Sequence, residues 1–207
     1  MAYIAVGIDL AGSPRRTTGF CCLRGPRATR LRPLATDREI LEEIRADAPD
    51  VVSIDAPLTL PRGRRRLGDR TAPHFRACDL ALRARGIPFF PITLGPMRLL
   101  TARGMRLRRR LESEGLVVIE SYPGGAQDVL GWPRKQDGVE RLRRSLRGYG
   151  LTGDIERSGL THDELDAATA AIVGRLYLTG GAEVLGDPTE GTLVLPAAQG
   201  RPATRRR

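Results

Sequence analysis

The sequence is poor in the residues on which several common kinds of functional site depend. Its three cysteines, Cys21, Cys22 and Cys78, show no Cys-x-x-Cys spacing, which argues against a structural zinc site or a disulfide framework and favours a reducing cytosol. The two histidines, His74 and His162, lie in no recognisable Ser/His/Asp or Cys/His arrangement. A hydrolytic reaction in this chain would therefore have to use another kind of nucleophile.

Long apolar runs and aromatic residues are also scarce. No apolar segment approaches the length of a membrane span, and the first residues lack the basic start of a signal peptide, so we expect a cytoplasmic protein with no membrane partner. Aromatic residues make up 4% of the chain, with a single tryptophan, Trp132. The sequence therefore shows no stacking platform for nucleic-acid bases.

Positive charge is abundant, and nearly all of it is arginine. The formal net charge is +10, while Lys135 is the only lysine. Arginine can bind phosphate with two parallel hydrogen bonds, so the composition suits a polyanionic partner such as DNA or RNA. A coding bias toward arginine would give the same composition, and the charge alone does not identify the partner.

Three predicted strands end in a carboxylate. Short, nearly continuous apolar runs close on Asp9, Asp55 and Glu120, and such runs are typical of strands buried on both faces of a sheet. The carboxyl ends of parallel strands meet at one edge of an α/β sheet, which is where sites in such folds are found. We therefore expect these three side chains to lie near one another.

A further acidic pair opens a predicted helix. Thr161 and Glu164 have the spacing of a capping box before an alanine-rich apolar run, and Asp163 and Asp166 fall on the same side of that helix. Acidic residues in a first turn also complement the helix dipole, which explains many such pairs without a ligand. The other carboxylates have to decide between the two interpretations.

Taken together, the carboxylates predict a site for divalent metal. Mg²⁺ and Mn²⁺ prefer carboxylate oxygens, and a pair of ions needs several of them. In phosphodiester hydrolysis such ions generate the attacking hydroxide and stabilise the leaving oxygen. The candidate catalytic and metal-binding residues are Asp9, Asp55, Glu120, Asp163 and Asp166.

An arginine-rich segment over 58–75, predicted to be a long irregular loop, supplies candidate contacts with the substrate. Arg62 and Arg64 lie in this segment. Each could bind a phosphate group. The alternative is a solvated surface run.

Several of these motifs, taken in order, resemble one known family. They are Gly7-Ile8-Asp9-Leu10-Ala11-Gly12, Thr18-Gly19-Phe20, Ser53-Ile54-Asp55-Ala56-Pro57-Leu58, Ile119-Glu120-Ser121-Tyr122-Pro123, Asp163-Glu164-Leu165-Asp166-Ala167 and Glu190-Gly191-Thr192-Leu193-Val194-Leu195-Pro196. The chain resembles the domain of unknown function 429 family, whose members are described as predicted nucleases of the ribonuclease-H-like superfamily. The first motif and the aspartate pair of the predicted helix also resemble RuvC-type junction resolvases.

The resemblance implies an α/β fold with a ribonuclease-H-like, mixed five-stranded sheet flanked by helices on both faces. It also implies a carboxylate cluster in which Asp9 bridges two ions from the central strand. Asp55 or Glu120 would complete the coordination of one ion, and Asp163 or Asp166 that of the other. Arg76 and Asp79 also resemble family positions, which implies that Arg76 either contacts a phosphate of the substrate or forms a structural pair with an aspartate. We expect a single domain over 1–197 and a basic, disordered tail over 198–207.

The resulting hypothesis is a metal-dependent nuclease or phosphodiesterase that acts on DNA, RNA or another phosphoester. Two alternatives remain open. One is a non-catalytic protein that binds nucleic acid. The other is a nucleotide-binding ATPase or kinase-like domain, because Asp9, Gly12 and Thr18 faintly resemble the first phosphate loop of such proteins, although 207 residues leave no room for the second core that those proteins carry.

Overall fold

The computed structural model describes residues 2–13, 15–71 and 73–198. The tail predicted over 198–207 lies outside these residues apart from Ala198. Within the described ranges the strands are β1 (Ile4–Asp9), β2 (Thr18–Arg24), β3 (Arg27–Leu34), β4 (Val51–Asp55), β5 (Val118–Ser121), β6 (Thr152–Gly153), β7 (Ala182–Asp187) and β8 (Gly191–Pro196). The helices of the same ranges are α1 (Asp37–Asp47), α2 (Ala77–Ala84), α3 (Gly95–Ser113), α4 (Pro123–Leu130), α5 (Val139–Gly148) and α6 (His162–Thr179).

All the strands form one mixed sheet in the order β6-β3-β2-β1-β4-β5-β8-β7. Strands β1, β2 and β3 form an antiparallel meander, β1, β4 and β5 run parallel to one another, and β7 and β8 form an antiparallel hairpin. The sheet therefore combines a parallel centre with antiparallel flanks, as the sequence predicts.

The predicted count of five strands is wrong, because the sheet has eight strands among the described residues. The hairpin β7–β8 joins the sheet along β5, and the two-residue strand β6 joins it along β3. Both additions cover edges whose backbone N–H and C=O groups would otherwise lack partners in the sheet. A two-residue strand has no detectable side-chain period, and the sequence pattern of a hairpin does not reveal which edge it covers.

Helices cover both faces of the sheet. On one face, Ile40 and Ile44 of α1 and Leu107 and Leu111 of α3 pack against the apolar side chains of β1, β2 and β4. On the other face, α6 packs across β1, β2 and β4, with α4 and α5 beside it. None of the helices that the structure describes is long and apolar enough to cross a membrane.

Helix α6 lies unusually close to the central strand. Its predicted capping box is confirmed, because the Thr161 hydroxyl accepts from the Glu164 backbone N–H and the Glu164 carboxylate accepts from the Thr161 backbone N–H. A Cβ atom at Gly7 of β1 would lie 2.1 Å from the Ala167 carbonyl oxygen and 2.3 Å from the Ala171 nitrogen. Strand and helix backbones are therefore in direct contact, and this contact fixes the start of α6 relative to the end of β1.

This packing predicts a large effect of a single methyl group at Gly7. Gly7→Ala should lower the free energy of unfolding by about 3 kcal/mol, because overpacking forces one backbone away from the other. The control is Gly148→Ala in α5, where a Cβ would meet no atom within 4 Å; there we expect no loss and a gain of at most about 1 kcal/mol. Urea unfolding of both variants tests the contact, and equal stabilities would contradict it.

Candidate functional site

Three polar side chains form a row at the carboxyl edge of the parallel strands. Asp9 of β1 is in register with Asp55 of β4, and Asp55 is in register with Ser121 of β5. Residues in register on parallel strands leave the sheet on the same face, and neighbouring strands lie about 4.8 Å apart. Asp9, Asp55 and Ser121, which we call the edge row, therefore stand side by side on the face that α6 covers.

The edge row lines a cavity of about 530 Å³, the main cavity. From across the cavity α6 contributes Asp166, which is 5% exposed. The Gln127 side chain of α4 is also buried there, and its Nε2 donates to Asp166 Oδ1 at 2.7 Å. The fold thus brings Asp9, Asp55 and Asp166 to one cavity, with Gln127 fixing the orientation of Asp166.

Asp163 lies at a second cavity, which Asp9 also borders. It is half-buried and lines a separate cavity of about 280 Å³ together with Asp9, Gly12 and Ser13. The backbone of Asp163 also lies directly against Gly19, the partner of Asp9 on β2, where a Cβ would come within 2.0 Å of the Asp163 carbonyl oxygen. Asp9 therefore borders both cavities, and the two aspartates of α6 approach it from different directions.

Glu120 borders the main cavity but has a different environment. It precedes Ser121 on β5, so its side chain leaves the sheet on the opposite face from the edge row. Its two carboxylate oxygens each accept from Arg76 at 2.7 Å, and one of them also accepts from the Leu58 backbone N–H at 2.7 Å. The structure therefore separates Glu120 from the other predicted carboxylates by pairing it with a buried arginine.

Arg76 holds a second carboxylate as well. Its guanidinium donates to both oxygens of Asp79, at 3.1 and 2.8 Å, and the arginine side chain is 2% exposed. Burial disfavours the charged guanidinium, but Glu120 and Asp79 together outweigh that effect and raise the pKa of Arg76 well above its ordinary value. Of the two roles that the sequence left open for Arg76, the structure shows the structural pair.

The other two predicted substrate contacts also bind groups of the chain itself. Arg64 is buried, and its guanidinium donates to the backbone carbonyls of residues 66, 67, 69 and 73, which holds the arginine-rich loop together. Arg62 is exposed and pairs with Asp187 at 2.6 Å near the β7–β8 turn. Both side chains therefore shape the loop beside the sheet edge.

One cationic residue of the main cavity was missed by the sequence analysis. Arg134 lines it, with Nε donating to Asp128 at 2.8 Å and NH1 lying 3.2 Å from the Tyr122 hydroxyl. The hydrogen bond that Arg134 donates to Asp128 raises the pKa of Arg134, so the guanidinium stays charged. Nothing in the short basic stretch around position 134 distinguishes this arginine from the many others of the sequence.

An apolar wall of the main cavity was missed as well. Phe89, Phe90, Met97 and Leu100 line it opposite the edge row, and Phe90 is 69% exposed. The segment Pro88-Phe89-Phe90-Pro91 was the available signal, because two adjacent aromatic residues between prolines cannot continue a helix or a central strand. Composition gave no indication of this wall, because aromatic residues make up only 4% of the chain.

The carboxylates of the main cavity suit a hard divalent cation that takes few of its ligands from the protein. Among the residues that the structure describes, no three His, Cys, Asp or Glu side chains converge as a preformed metal cage. Magnesium commonly binds through one or two carboxylates and completes its shell with water and substrate oxygens. The adjacent carboxylates of Asp9 and Asp55 fit that mode, which needs no third protein ligand.

The sequence matches the family described as protein of unknown function (DUF429) over residues 7–191. The chain belongs to the DUF429 family. No protein with a curated description gives a significant match to the sequence. Membership accounts for the order of motifs along the chain, from the strand that ends in Asp9 to the turn before β8.

Solved structures give the fold of this DUF429 protein a known counterpart. It is similar to T. thermophilus RuvC in complex with a Holliday junction substrate, with a TM-score of 0.52, 13% identity, and coverage of 86% of this chain and 96% of that one. A second structure of Thermus thermophilus RuvC has a TM-score of 0.48, 12% identity and the same coverage. The first comparison confirms the expected RuvC-like, ribonuclease-H-like fold, apart from the strand count.

The position of Glu120 predicts that its neutralisation damages stability. Glu120→Gln should lower the free energy of unfolding by about 3 kcal/mol, because it leaves part of the Arg76 charge buried without compensation. Glu140→Gln removes a carboxylate from an exposed ion pair with Arg143 and should cost at most about 1 kcal/mol. Chemical unfolding of the two variants compares them directly. A stable Glu120→Gln protein would contradict the structural role of this carboxylate.

Proposed function

We propose that this DUF429 protein is a metal-dependent hydrolase of phosphodiester bonds. The observation that carries the proposal concerns the two aspartates of the edge row. Asp9 and Asp55 are in register on adjacent parallel strands and open on one cavity with Asp166. Carboxylate oxygens are the ligands that Mg²⁺ and Mn²⁺ prefer, and several carboxylates that open on one cavity are typical of a functional site.

Each acidic residue near the main cavity has a separate role in this proposal. Asp9 and Asp55 would hold Mg²⁺ or Mn²⁺, which supplies a polarised water and charge stabilisation for phosphodiester hydrolysis when bound. Asp166, oriented by the Gln127 amide, accepts a proton from water or contacts water bound in the cavity. Asp163 reaches Asp9 from the second cavity and serves a second cation or the approach of substrate. Glu120 remains paired with Arg76 and stabilises the structure on the opposite face of the sheet.

A nucleic acid is the substrate class that the cavity suits best. An acidic edge and an apolar wall with an exposed phenylalanine line the same cavity, and a nucleotide offers both a phosphate group and a flat base. The high net charge of the chain favours a polyanion. The RuvC structure that shares the fold is bound to a Holliday junction, which lends this proposal further support.

The first test is metal-dependent cleavage by the purified full chain. With Mn²⁺, we expect hydrolysis of oligonucleotides that falls more than about 100-fold in Asp9→Asn, since loss of even an indirect partner of a metal ligand costs up to about 100-fold. Glu42→Gln, on the exposed side of α1, removes a carboxylate of the surface and should leave the rate unchanged. Cleavage that persists in Asp9→Asn, or that EDTA does not stop, would refute the proposal.

The apolar wall generates a separate prediction about the substrate. Phe90→Ala should raise KM for a single-stranded oligonucleotide about tenfold, because one base stacked on an aromatic ring contributes about 1–3 kcal/mol. It should leave hydrolysis of a small phosphodiester without a base unchanged. Leu80→Ala removes another exposed apolar side chain, on α2, and is the matched control. Equal KM values for Phe90→Ala and the wild type would favour a small phosphoester as the natural substrate.

A further inference from the structure

The hydroxyl of Ser121 is a buried polar group with an unmet hydrogen-bonding capacity. Ser121 is 1% exposed, and among the described residues its Oγ has no hydrogen-bond partner. Burying a hydroxyl without a partner costs free energy, so such groups are rare and call for an explanation. Ser121 belongs to the edge row and lines the main cavity, where a ligand would supply the partner.

The start of α4 faces the same cavity. Ser121 directly precedes its N-cap residue, Tyr122, and no side-chain hydrogen bond caps the helix. Pro123 opens the helix, and Ala126 donates the first intrahelical hydrogen bond, to the Tyr122 carbonyl. The first turn of a helix presents N–H groups and a partial positive charge to its surroundings, and here it contains Gly124, which lines the main cavity.

Arg134 places a fixed cation over this helix start. Its NH1 lies so close that a Cβ at Gly124 would be 3.2 Å away, and the guanidinium stacks 5.8 Å from the centre of the Tyr122 ring. Asp128 anchors the other side of the guanidinium through Nε at 2.8 Å. The arginine is therefore held in position before any ligand arrives, so binding a ligand would cost little further side-chain entropy.

We propose that Ser121, the first turn of α4 and Arg134 form a binding subsite for a phosphate group beside the edge-row carboxylates. A hydroxyl donor, backbone N–H groups and a guanidinium converge there, and a tetrahedral oxyanion accepts hydrogen bonds from all three. The neighbouring aspartates repel an anion, and a cation between them removes that repulsion. The subsite therefore rests on the proposed function, in which the substrate is a phosphoester.

Ser53 provides a matched control inside the same sheet. Its Oγ is also buried with no partner among the described residues, and it lies two positions before Asp55 on β4. Its surroundings differ, because a Cβ at Gly174 of α6 would be 3.3 Å from Ser53 Cβ, so the helix covers it. Ser53→Ala removes the same kind of hydroxyl away from the proposed subsite.

The test measures inorganic phosphate binding by ³¹P NMR titration without metal, in EDTA. Asp9→Asn serves as the background, because it lowers the negative charge of the cavity. Adding Ser121→Ala should weaken phosphate binding about tenfold, the loss expected for one hydrogen bond to a charged group. Adding Arg134→Gln should weaken it at least as much, and adding Ser53→Ala should not change it.

Thermal unfolding separates this role from a structural one. Ser121→Ala and Ser53→Ala should both melt at or above the wild-type temperature, since each removes an unsatisfied buried hydroxyl. Equal phosphate affinity in the Ser121→Ala and Ser53→Ala proteins would overturn the subsite. A lowered melting temperature of Ser121→Ala alone would also overturn it, because it would reveal a structural hydrogen bond.

Failure of the subsite and failure of the proposed function give different results. Phosphate binding that depends on Ser121, in a chain that neither binds Mn²⁺ nor cleaves nucleic acid, would uphold the subsite and reject hydrolysis. Metal-dependent cleavage that is lost in Asp9→Asn, together with phosphate binding that does not depend on Ser121, would uphold hydrolysis and reject the subsite.

Discussion

The direct contact between the backbones of β1 and α6 is the constraint on which the site depends. Gly7 and Gly19 allow the helix to lie against the strands without intervening side chains, at positions where a Cβ would come within 2.1 and 2.0 Å of helix carbonyl oxygens. Because the helix cannot slide without creating clashes, its first turns are held at a fixed depth beside the end of β1. Backbone packing therefore places the aspartates of α6 at the two cavities that Asp9 also borders.

A second constraint is the division of the buried negative charge. Glu120 and Asp79 share Arg76, which satisfies both carboxylates in a region almost closed to solvent. Asp9, Asp55 and Asp166 instead open on the main cavity, where an added cation can change their energy. Glu120 also accepts from the Leu58 backbone N–H and so stabilises the loop after β4, whereas Asp9, Asp55 and Asp166 line the main cavity.

The sequence predicted most of the secondary structure, including the strands that end at Asp9 and Asp55, because these features depend on local patterns. Apolar runs that end in Asp9 and Asp55 identify strands and their carboxyl ends, and the capping box identifies the start of α6. The partner of Glu120 could not be predicted, since Arg76 lies 44 residues away along the chain and many arginines compete for the role. Side-chain alternation was the one available signal, because residues 120 and 121 of β5 must face opposite sides of the sheet.

Gln127, Ser121 and Phe90 were missed for a related reason. The role of each depends on a neighbour that is distant in sequence or on the cavity itself, as with the hydrogen bond from Gln127 to Asp166 on another helix.

Two adjacent carboxylates, those of Asp9 and Asp55, would suit a cation that also binds water and substrate. A cage of three or more carboxylates would be costly to assemble without its ion, whereas two aspartates leave coordination positions for water and for phosphate oxygens. If the protein acts on a phosphoester as proposed, the ion and the substrate would compensate each other's charge, and the donors on the α4 side of the cavity would hold the phosphate.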